Sequence, residues 1–183
     1  GTIHPLPVPP GDYTPAEGSI RSQPCPLGYY CAGNTIEPTP CPAGTLGNAT
    51  GLNSSSCSRI CPEGYYCEEG SAAAIVCEVG TYSNRTGLNS STECLDCPDG
   101  HWCNSGQAFP CGKGTYADGP PFERTTLNAC KPCSDSRADT TTLGQATPSE
   151  AGCVCAIGYY SIDGIEDGPC AQCPPGTSCS DVG

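Results

Sequence analysis

Cysteine spacing is the feature that most constrains what this chain can fold into. The chain has 18 cysteines, and seven of them recur at a step of 36 residues. One series is Cys25, Cys61, Cys97 and Cys133, and the other is Cys31, Cys67 and Cys103. Self-similarity at a fixed period indicates an array of small units stacked along the chain rather than one globular core.

The aliphatic content is too low for an ordinary core. Leu, Ile, Val and Phe together make up 23 of the 183 residues, about 13%. Below about 20%, a chain with substantial net charge does not usually bury enough apolar surface to fold. The cysteines supply the missing constraint, because each disulfide that closes a loop of about 15 residues contributes roughly 3 kcal/mol. A disulfide density this high predicts an oxidising, extracellular compartment.

Charge and hydropathy exclude several classes of protein. The net charge is −12, with only seven Lys and Arg residues, and phosphate binding needs a basic face. We therefore expect no nucleic-acid partner. No apolar run reaches the 18 or so residues that span a bilayer, so we expect no membrane insertion in this segment. Because no secretory signal is visible, we also expect the chain to be a mature or truncated piece of a longer precursor.

The repeats divide the chain into six segments. We predict a Pro-rich extended leader over 1–24, cysteine-rich repeats over 25–60, 61–96 and 97–132, a divergent repeat over 133–172, and the start of a further repeat over 173–183. The run C-P-x-G that opens most repeats favours a turn, because Pro fixes φ and Gly permits positive φ. The aromatic pair after it favours a short strand. The predicted fold class is small and disulfide-rich, with short β-hairpins and little or no helix.

The pattern resembles the cysteine-rich repeats of ephrin-receptor-like and tumour-necrosis-factor-receptor-like extracellular modules. The best match is Cys130–Tyr160, which reads C-K-P-C, a Ser/Thr-rich loop, and then C-V-C-A-I-G-Y-Y. The resemblance covers residues 25–179. Similar arrays occur in ciliary surface proteins of protists and algae, including mastigoneme-type proteins that form hair-like filaments. The resemblance implies an extracellular module, and such modules serve receptors, adhesins and filaments alike.

Each complete repeat has four cysteines, which permit three pairing schemes. We predict nearest-neighbour pairing, because crossed schemes such as Cys25–Cys41 would leave the last two cysteines without partners. The expected pairs are Cys25–Cys31, Cys41–Cys57, Cys61–Cys67, Cys77–Cys94, Cys97–Cys103, Cys111–Cys130, Cys133–Cys153, Cys155–Cys170 and Cys173–Cys179. The C-x-x-C pairs at the junctions, such as Cys94/Cys97, are also typical of zinc sites, but their place in the repeat favours disulfides.

Four N-glycosylation sequons also follow the repeat. Asn48 and Asn84 are 36 residues apart, as are Asn53 and Asn89. In a secreted chain, Asn-x-Ser/Thr in a polar loop predicts N-glycans, although an unused loop duplicated with its repeat would give the same pattern. The Ser/Thr-rich stretch Thr140–Thr142 suggests O-glycans by composition alone.

The remaining residues do not indicate catalysis. The two histidines, His4 and His101, lie in the leader and in a repeat motif, and no Ser–His–Asp arrangement or phosphate loop can be argued. The acidic stretch Asp163–Asp167 lacks the spacing of a calcium loop. We expect no cofactor and no metal. In the aromatic pairs, one ring should cover the neighbouring disulfide while the other packs on a neighbouring repeat, subunit or glycan.

Two functions remain. The preferred one is a structural glycoprotein that builds a cell-surface filament by self-association through leader and repeat surfaces. The alternative is a ligand-binding or adhesive segment of a receptor ectodomain. The leader is either an arm that docks on a neighbour or a flexible linker.

Intact glycopeptide mass spectrometry of secreted protein tests the glycan prediction. We expect N-glycans at Asn48, Asn53, Asn84 and Asn89, because these complete the sequon in a polar loop. Asn34, Asn104 and Asn128 serve as internal controls and should be unmodified. Four bare sequons in secreted protein would contradict the prediction.

Overall fold

A computed structural model describes residues 7–15, 21–136, 139–162, 169–177 and 179. Regular structure within them is made of very short strands. They are β1 Asp12–Tyr13, β2 Gln23–Pro24, β3 Tyr29–Tyr30, β4 Thr39–Pro40, β5 Thr45–Leu46, β6 Arg59–Ile60, β7 Tyr65–Tyr66, β8 Ile75–Val76, β9 Thr81–Tyr82, β10 Leu95–Asp96, β11 His101–Asn104, β12 Gln107–Pro110, β13 Thr115–Tyr116, β14 Lys131–Pro132, β15 Thr140–Thr142, β16 Cys153–Cys155, β17 Tyr159–Ser161 and β18 Cys170–Gln172.

The strands pair two by two in chain order. Among the described residues they form nine two-stranded sheets, from β1–β2 to β17–β18, and hairpins such as β1–β2, β11–β12 and β17–β18 are antiparallel. Helix is limited to α1, Cys133–Ser136, and four single 3₁₀ turns at Ser91–Glu93, Pro121–Glu123, Leu127–Ala129 and Glu150–Gly152. The predicted fold class, a small disulfide-rich protein of hairpins with little helix, is confirmed.

Nine disulfides join all 18 cysteines. They are the nearest-neighbour pairs that the sequence analysis expects, from Cys25–Cys31 to Cys173–Cys179. Through the first three repeats, disulfides between cysteines 6 positions apart alternate with disulfides between cysteines 16 to 19 positions apart. A zinc site would need thiolates, and every cysteine is already in a disulfide.

The disulfides are also the core. Of the 17 buried apolar residues among those described, 12 are cysteines, and the rest are Leu46, Leu88, Tyr116, Ala117 and Val154. Leu46 packs with Cys61 and Cys67, and Tyr65 lies against that cluster. One ring of the second aromatic pair therefore covers its disulfide, as predicted. Tyr116 packs with Cys133 and Cys153 in the same manner.

Contacts divide the chain into two compact units. The first comprises residues 1–78 and 83–95, and the second comprises 79–82 and 96–183. The predicted border between the second and third repeats, at 96/97, lies within one residue of the main division. Residues 79–82, which the repeat pattern assigns to the second repeat, belong to the second unit.

In the first unit, one backbone contact recurs wherever a loop meets the preceding turn. The carbonyl of the residue that opens the turn accepts an N–H from a residue with positive φ in the loop of the following hairpin. The donor–acceptor pairs are Asn34–Val8, Gly51–Cys25, Gly70–Cys41 and Gly87–Cys61, at 2.8 to 2.9 Å. The donors have φ between 51° and 79°. The left-handed conformation aims the N–H at the neighbouring turn, and Gly and Asn tolerate it best.

The second unit uses the same contact. Ala146, with φ 57°, donates its N–H to the Cys111 carbonyl at 3.0 Å. The same loop also covers the turn one hairpin earlier, Cys97–Gly100, because a Cβ added at Gly100 would lie 2.2 Å from the Ala146 carbonyl oxygen. Gly28 in the first unit has the same constraint toward Gly70. Glycine is therefore required at this turn position for two reasons: its φ is positive, and the loop that packs on it leaves no room for a side chain.

The prediction that 1–24 is an extended leader is wrong for its described part. Val8-Pro9-Pro10-Gly11 repeats the C-P-x-G turn with Val8 in place of cysteine, and β1 and β2 form a hairpin. Val8 exchanges two hydrogen bonds with Asn34, and the Thr14 N–H donates to the Thr35 carbonyl at 3.0 Å. Backbone contact with the first repeat supplies the constraint that a disulfide gives elsewhere, so Pro and Gly suffice for the turn.

Reduction of the disulfides under native conditions should unfold the chain without denaturant, because so little other apolar surface is buried. Far-ultraviolet circular dichroism and limited proteolysis before and after reduction and alkylation measure this. The alkylated but unreduced protein is the control. A reduced chain that keeps its spectrum and its protease resistance would contradict the prediction.

Candidate functional site

The first sequon loop is held at both ends by backbone contacts. The Gly47 N–H donates to the Ser71 carbonyl at 2.9 Å, and the Gly51 N–H donates to the Cys25 carbonyl at 2.8 Å. Asn48-Ala49-Thr50 lies between these two anchors, and all three residues are exposed. The asparagine is thus presented on a fixed turn, within a few residues of the contact that joins this loop to the turn at Cys25.

The second sequon loop repeats this arrangement. The Ser83 carbonyl accepts the Gly64 N–H at 3.0 Å, and the Gly87 N–H donates to the Cys61 carbonyl at 2.8 Å. Between them, the Arg85 N–H donates to the buried Ser83 hydroxyl at 3.1 Å. Asn84 and Thr86 remain exposed.

All four predicted glycosylation sites are sterically available. Asn48, Asn53, Asn84 and Asn89 are exposed, and so are the hydroxyl residues of their sequons, Thr50, Ser55, Thr86 and Ser91. Near the last of these sites, it is the backbone N–H of Asn89, and not its side-chain amide, that donates to Glu93 Oε2 at 2.7 Å. The structure brings the two sites of each loop to the same anchored segment.

Not every predicted modification site is available. Thr142, in the stretch suggested for O-glycans, has no exposed surface. Its hydroxyl accepts the Gly114 N–H at 2.8 Å and donates to the Gly144 carbonyl at 2.6 Å. The suggestion is wrong for this residue, because its hydroxyl takes the place of a backbone carbonyl in the contact between hairpins.

Sequence reasoning missed Arg124, a buried side chain in the third repeat that is 3% exposed. Its carbonyl accepts the Cys103 N–H, as the carbonyls of Leu52 and Leu88 do for Cys31 and Cys67. The guanidinium donates to the carbonyl oxygens of Cys97 and Gly119 and to Asp99 Oδ1. In the first two repeats, the corresponding cysteine carbonyl accepts the N–H of Gly51 or Gly87.

Arg124 therefore replaces a left-handed glycine with a side-chain donor. The third repeat has no Gly-Leu pair in this loop and reads G-P-P-F-E-R instead. This substitution within an otherwise repeated segment was the available signal. A charged side chain is rarely this deeply buried unless it is paired, and here two carbonyls and one carboxylate surround it.

Lys131 forms a second, exposed ion pair. Its Nζ lies 2.8 Å from Asp118 Oδ1 and 5.9 Å from the centroid of the Tyr116 ring. The hydrogen bond to Asp118 and the charge of that carboxylate raise the pKa of the Lys131 ammonium above its usual value. Because the ammonium is exposed, the pair adds little to stability.

The described residues contain no candidate metal centre. No group of three or more His, Cys, Asp or Glu side chains in the described ranges could hold a metal ion. His101 lies on β11 with Nδ1 3.0 Å from the Asp99 carbonyl oxygen. His4 and the acidic stretch Asp163–Asp167 lie outside the described residues.

No model of a known protein family matches the chain, and comparison with curated proteins finds no similar sequence. A bilayer-spanning helix is not found in the part of the chain that the structure describes. The dense disulfides are compatible with an extracellular or secreted protein.

Replacement of Arg124 tests whether the hydrogen bonds of its side chain stabilise the third repeat. We expect Arg124→Met to lower the free energy of unfolding by about 2–4 kcal/mol, because two carbonyls lose their donor. Thermal and denaturant unfolding with the disulfides intact measures this.

Arg85→Met is the matched control, since Arg85 is exposed in the equivalent loop of the second repeat, and its cost should stay within about 0.5 kcal/mol. Asp99→Asn should cost less than Arg124→Met, because both carbonyl contacts remain. Equal stability of Arg124→Met and Arg85→Met would contradict the role given to Arg124.

Proposed function

We propose that this chain is a structural extracellular glycoprotein whose disulfide-stapled repeats build a cell-surface filament or appendage. The observation that carries the proposal is the recurring backbone contact between a loop and the preceding turn. It uses a backbone N–H and a carbonyl, and it recurs both within a repeat, as at Gly51–Cys25, and between neighbouring repeats, as at Gly70–Cys41 and Ala146–Cys111. A surface that repeats in this way suits head-to-tail assembly, which forms an open filament when the rotation does not close.

Secretion and glycosylation belong to the same proposal. The core consists mainly of disulfides, which persist only where thiols are not kept reduced. N-glycans at the four exposed sequons would surround the first two repeats with a hydrated layer. This layer would limit non-specific association through exposed apolar side chains such as Ile60 and Val79. Self-association would then use the surfaces left bare.

A non-enzymatic role is part of the proposal. The side chains that are buried and polar, such as Arg124 and Thr142, have structural partners on the backbone. We assign no substrate and no catalytic residue to the chain.

A receptor-type or adhesive segment is the second candidate, and the third repeat favours it. This repeat has no sequon, and two of its large apolar side chains, Phe122 and Leu127, are 69% and 61% exposed. Exposed apolar side chains that no predicted N-glycan covers can contribute to a surface that binds a partner. On this alternative, the first two repeats would serve as a glycosylated spacer.

Electron microscopy of the purified glycoprotein, with and without residues 1–22, tests the filament proposal. We expect filaments from the whole chain and reduced polymerisation after the deletion, because the turn Val8–Gly11 would no longer be available at that end of the array. The deleted chain should keep all nine disulfides and its circular dichroism spectrum.

The control is a deletion that stops before the turn, removing residues 1–6 only. A strictly monomeric whole chain would overturn the filament proposal and favour the receptor-type alternative. Polymerisation of both deleted chains to the same extent as the whole chain would show that residues 1–22 take no part in assembly.

A further inference from the structure

The longest hairpin of the chain carries an unusual outer face. Strands β11 and β12 each have four residues, twice the length of the corresponding strands in the first two repeats. Trp102 pairs with Phe109 and Asn104 pairs with Gln107 across the hairpin. Because side chains alternate along a strand, these four residues share one face. Cys103, on the opposite face, is fully buried, so the four lie on the outer side.

The four side chains combine stacking with hydrogen-bonding groups. The rings of Trp102 and Phe109 stack with centroids 4.6 Å apart and remain partly exposed. Asn104 and Gln107 lie beside them and are exposed. Each primary amide provides two N–H donors and one carbonyl acceptor. Aromatic surface with a few convergent polar groups is the usual composition of a binding site for a small amphipathic ligand.

The ligand that fits this face is a neutral sugar ring. A pyranose has an apolar C–H face that can lie on aromatic rings and hydroxyl groups at its rim that can both donate and accept. None of the four outward residues is ionisable, although the chain as a whole has a net charge of −12. An acidic saccharide would therefore be repelled by the chain, and a cationic partner would find no carboxylate on this face.

We propose that Trp102, Phe109, Asn104 and Gln107 form a binding face for neutral saccharide, and that its occupant is an N-linked glycan on a second copy of this chain. The occupant rests on the proposed function, because that proposal supplies both the glycans and the self-association. The same chain has four exposed sequons in its first two repeats, whereas the loop of the third repeat has none. One copy thus presents the sugars and another presents a bare aromatic face.

The first experiment measures sugar binding alone, by titrating chain freed of its N-glycans with N,N′-diacetylchitobiose and with neutral oligomannose. Trp102 is the only tryptophan, so its fluorescence reports on this face without labelling. We expect a saturable shift in the emission with at least one of the two sugars, and none with an oligogalacturonate of similar length. An unchanged emission with both neutral sugars, or an equal response to the acidic one, would overturn the binding face.

The variants separate binding from folding. Asn104→Ala with Gln107→Ala keeps the fluorescent ring and should lower the affinity about tenfold, because each lost hydrogen bond weakens binding severalfold. Unchanged affinity would contradict the role of the amides. Each variant is first checked for nine disulfides.

The second experiment identifies the occupant. Sedimentation velocity compares glycosylated chain, chain with its glycans removed, and glycosylated Trp102→Ala, each over a range of concentrations. We expect self-association to fall in both altered samples and to persist in Tyr66→Ala, which changes the equivalent strand position in the second repeat.

The two proposals can fail separately. Filaments that persist after glycan removal and in Trp102→Ala would overturn the glycan as occupant and leave the filament proposal standing. Sugar binding by a chain that stays monomeric at every concentration would support the binding face, and it would overturn both the second copy as occupant and the filament proposal.

Discussion

The fold depends on disulfides acting as a substitute for a hydrophobic core. Among the described residues, twelve of the seventeen buried apolar residues are cysteines. Of the remaining five, Leu46 and Tyr116 each pack in a separate small cluster with two cysteines. A core of this size would not offset the conformational entropy of ordering so many loops. The bridges reduce that cost by restricting the unfolded chain, by roughly 3 kcal/mol for a loop of about 15 residues. Short strands can then persist although a lone two-stranded hairpin is marginal in water.

Hydrogen bonds between backbone groups connect one stapled hairpin to the next. A residue with positive φ donates its N–H to the carbonyl that opens the preceding turn, as Gly70 does to Cys41. Its own carbonyl packs on the glycine of the turn one hairpin earlier, as at Gly28, where a Cβ would not fit. Such contacts are nearly independent of side chains, so the sequence between the cysteines can vary widely. Val8 and Ala146 illustrate this freedom, since each takes part in the contact without being a Cys or a Gly, respectively.

The third repeat keeps the contact but changes its chemistry. Its loop lacks the left-handed glycine, and the Arg124 guanidinium supplies the donor to the Cys97 carbonyl instead. The same repeat has the longest hairpin, the only tryptophan and no sequon. These departures coincide in one repeat, which is why the proposed sugar-binding face and the receptor-type alternative both involve it. The first two repeats, by contrast, expose four sequons on anchored loops.

The sequence by itself determined the fold class, because the 36-residue step and the C-P-x-G turns leave hairpins closed by local disulfides as the consistent solution. Only the tertiary structure decided how the hairpins join. The Asn34–Val8 and Arg124–Cys97 contacts link residues 26 and 27 positions apart. The sequence shows that the third repeat departs from the Gly-Leu pattern, but it does not show which group supplies the hydrogen-bond donor. The turn at Val8–Gly11 keeps the Pro and Gly of C-P-x-G, but without the cysteine the spacing gives no sign that this turn packs on the first repeat. The burial of Thr142 likewise results from a contact with the neighbouring hairpin, which composition and spacing do not encode.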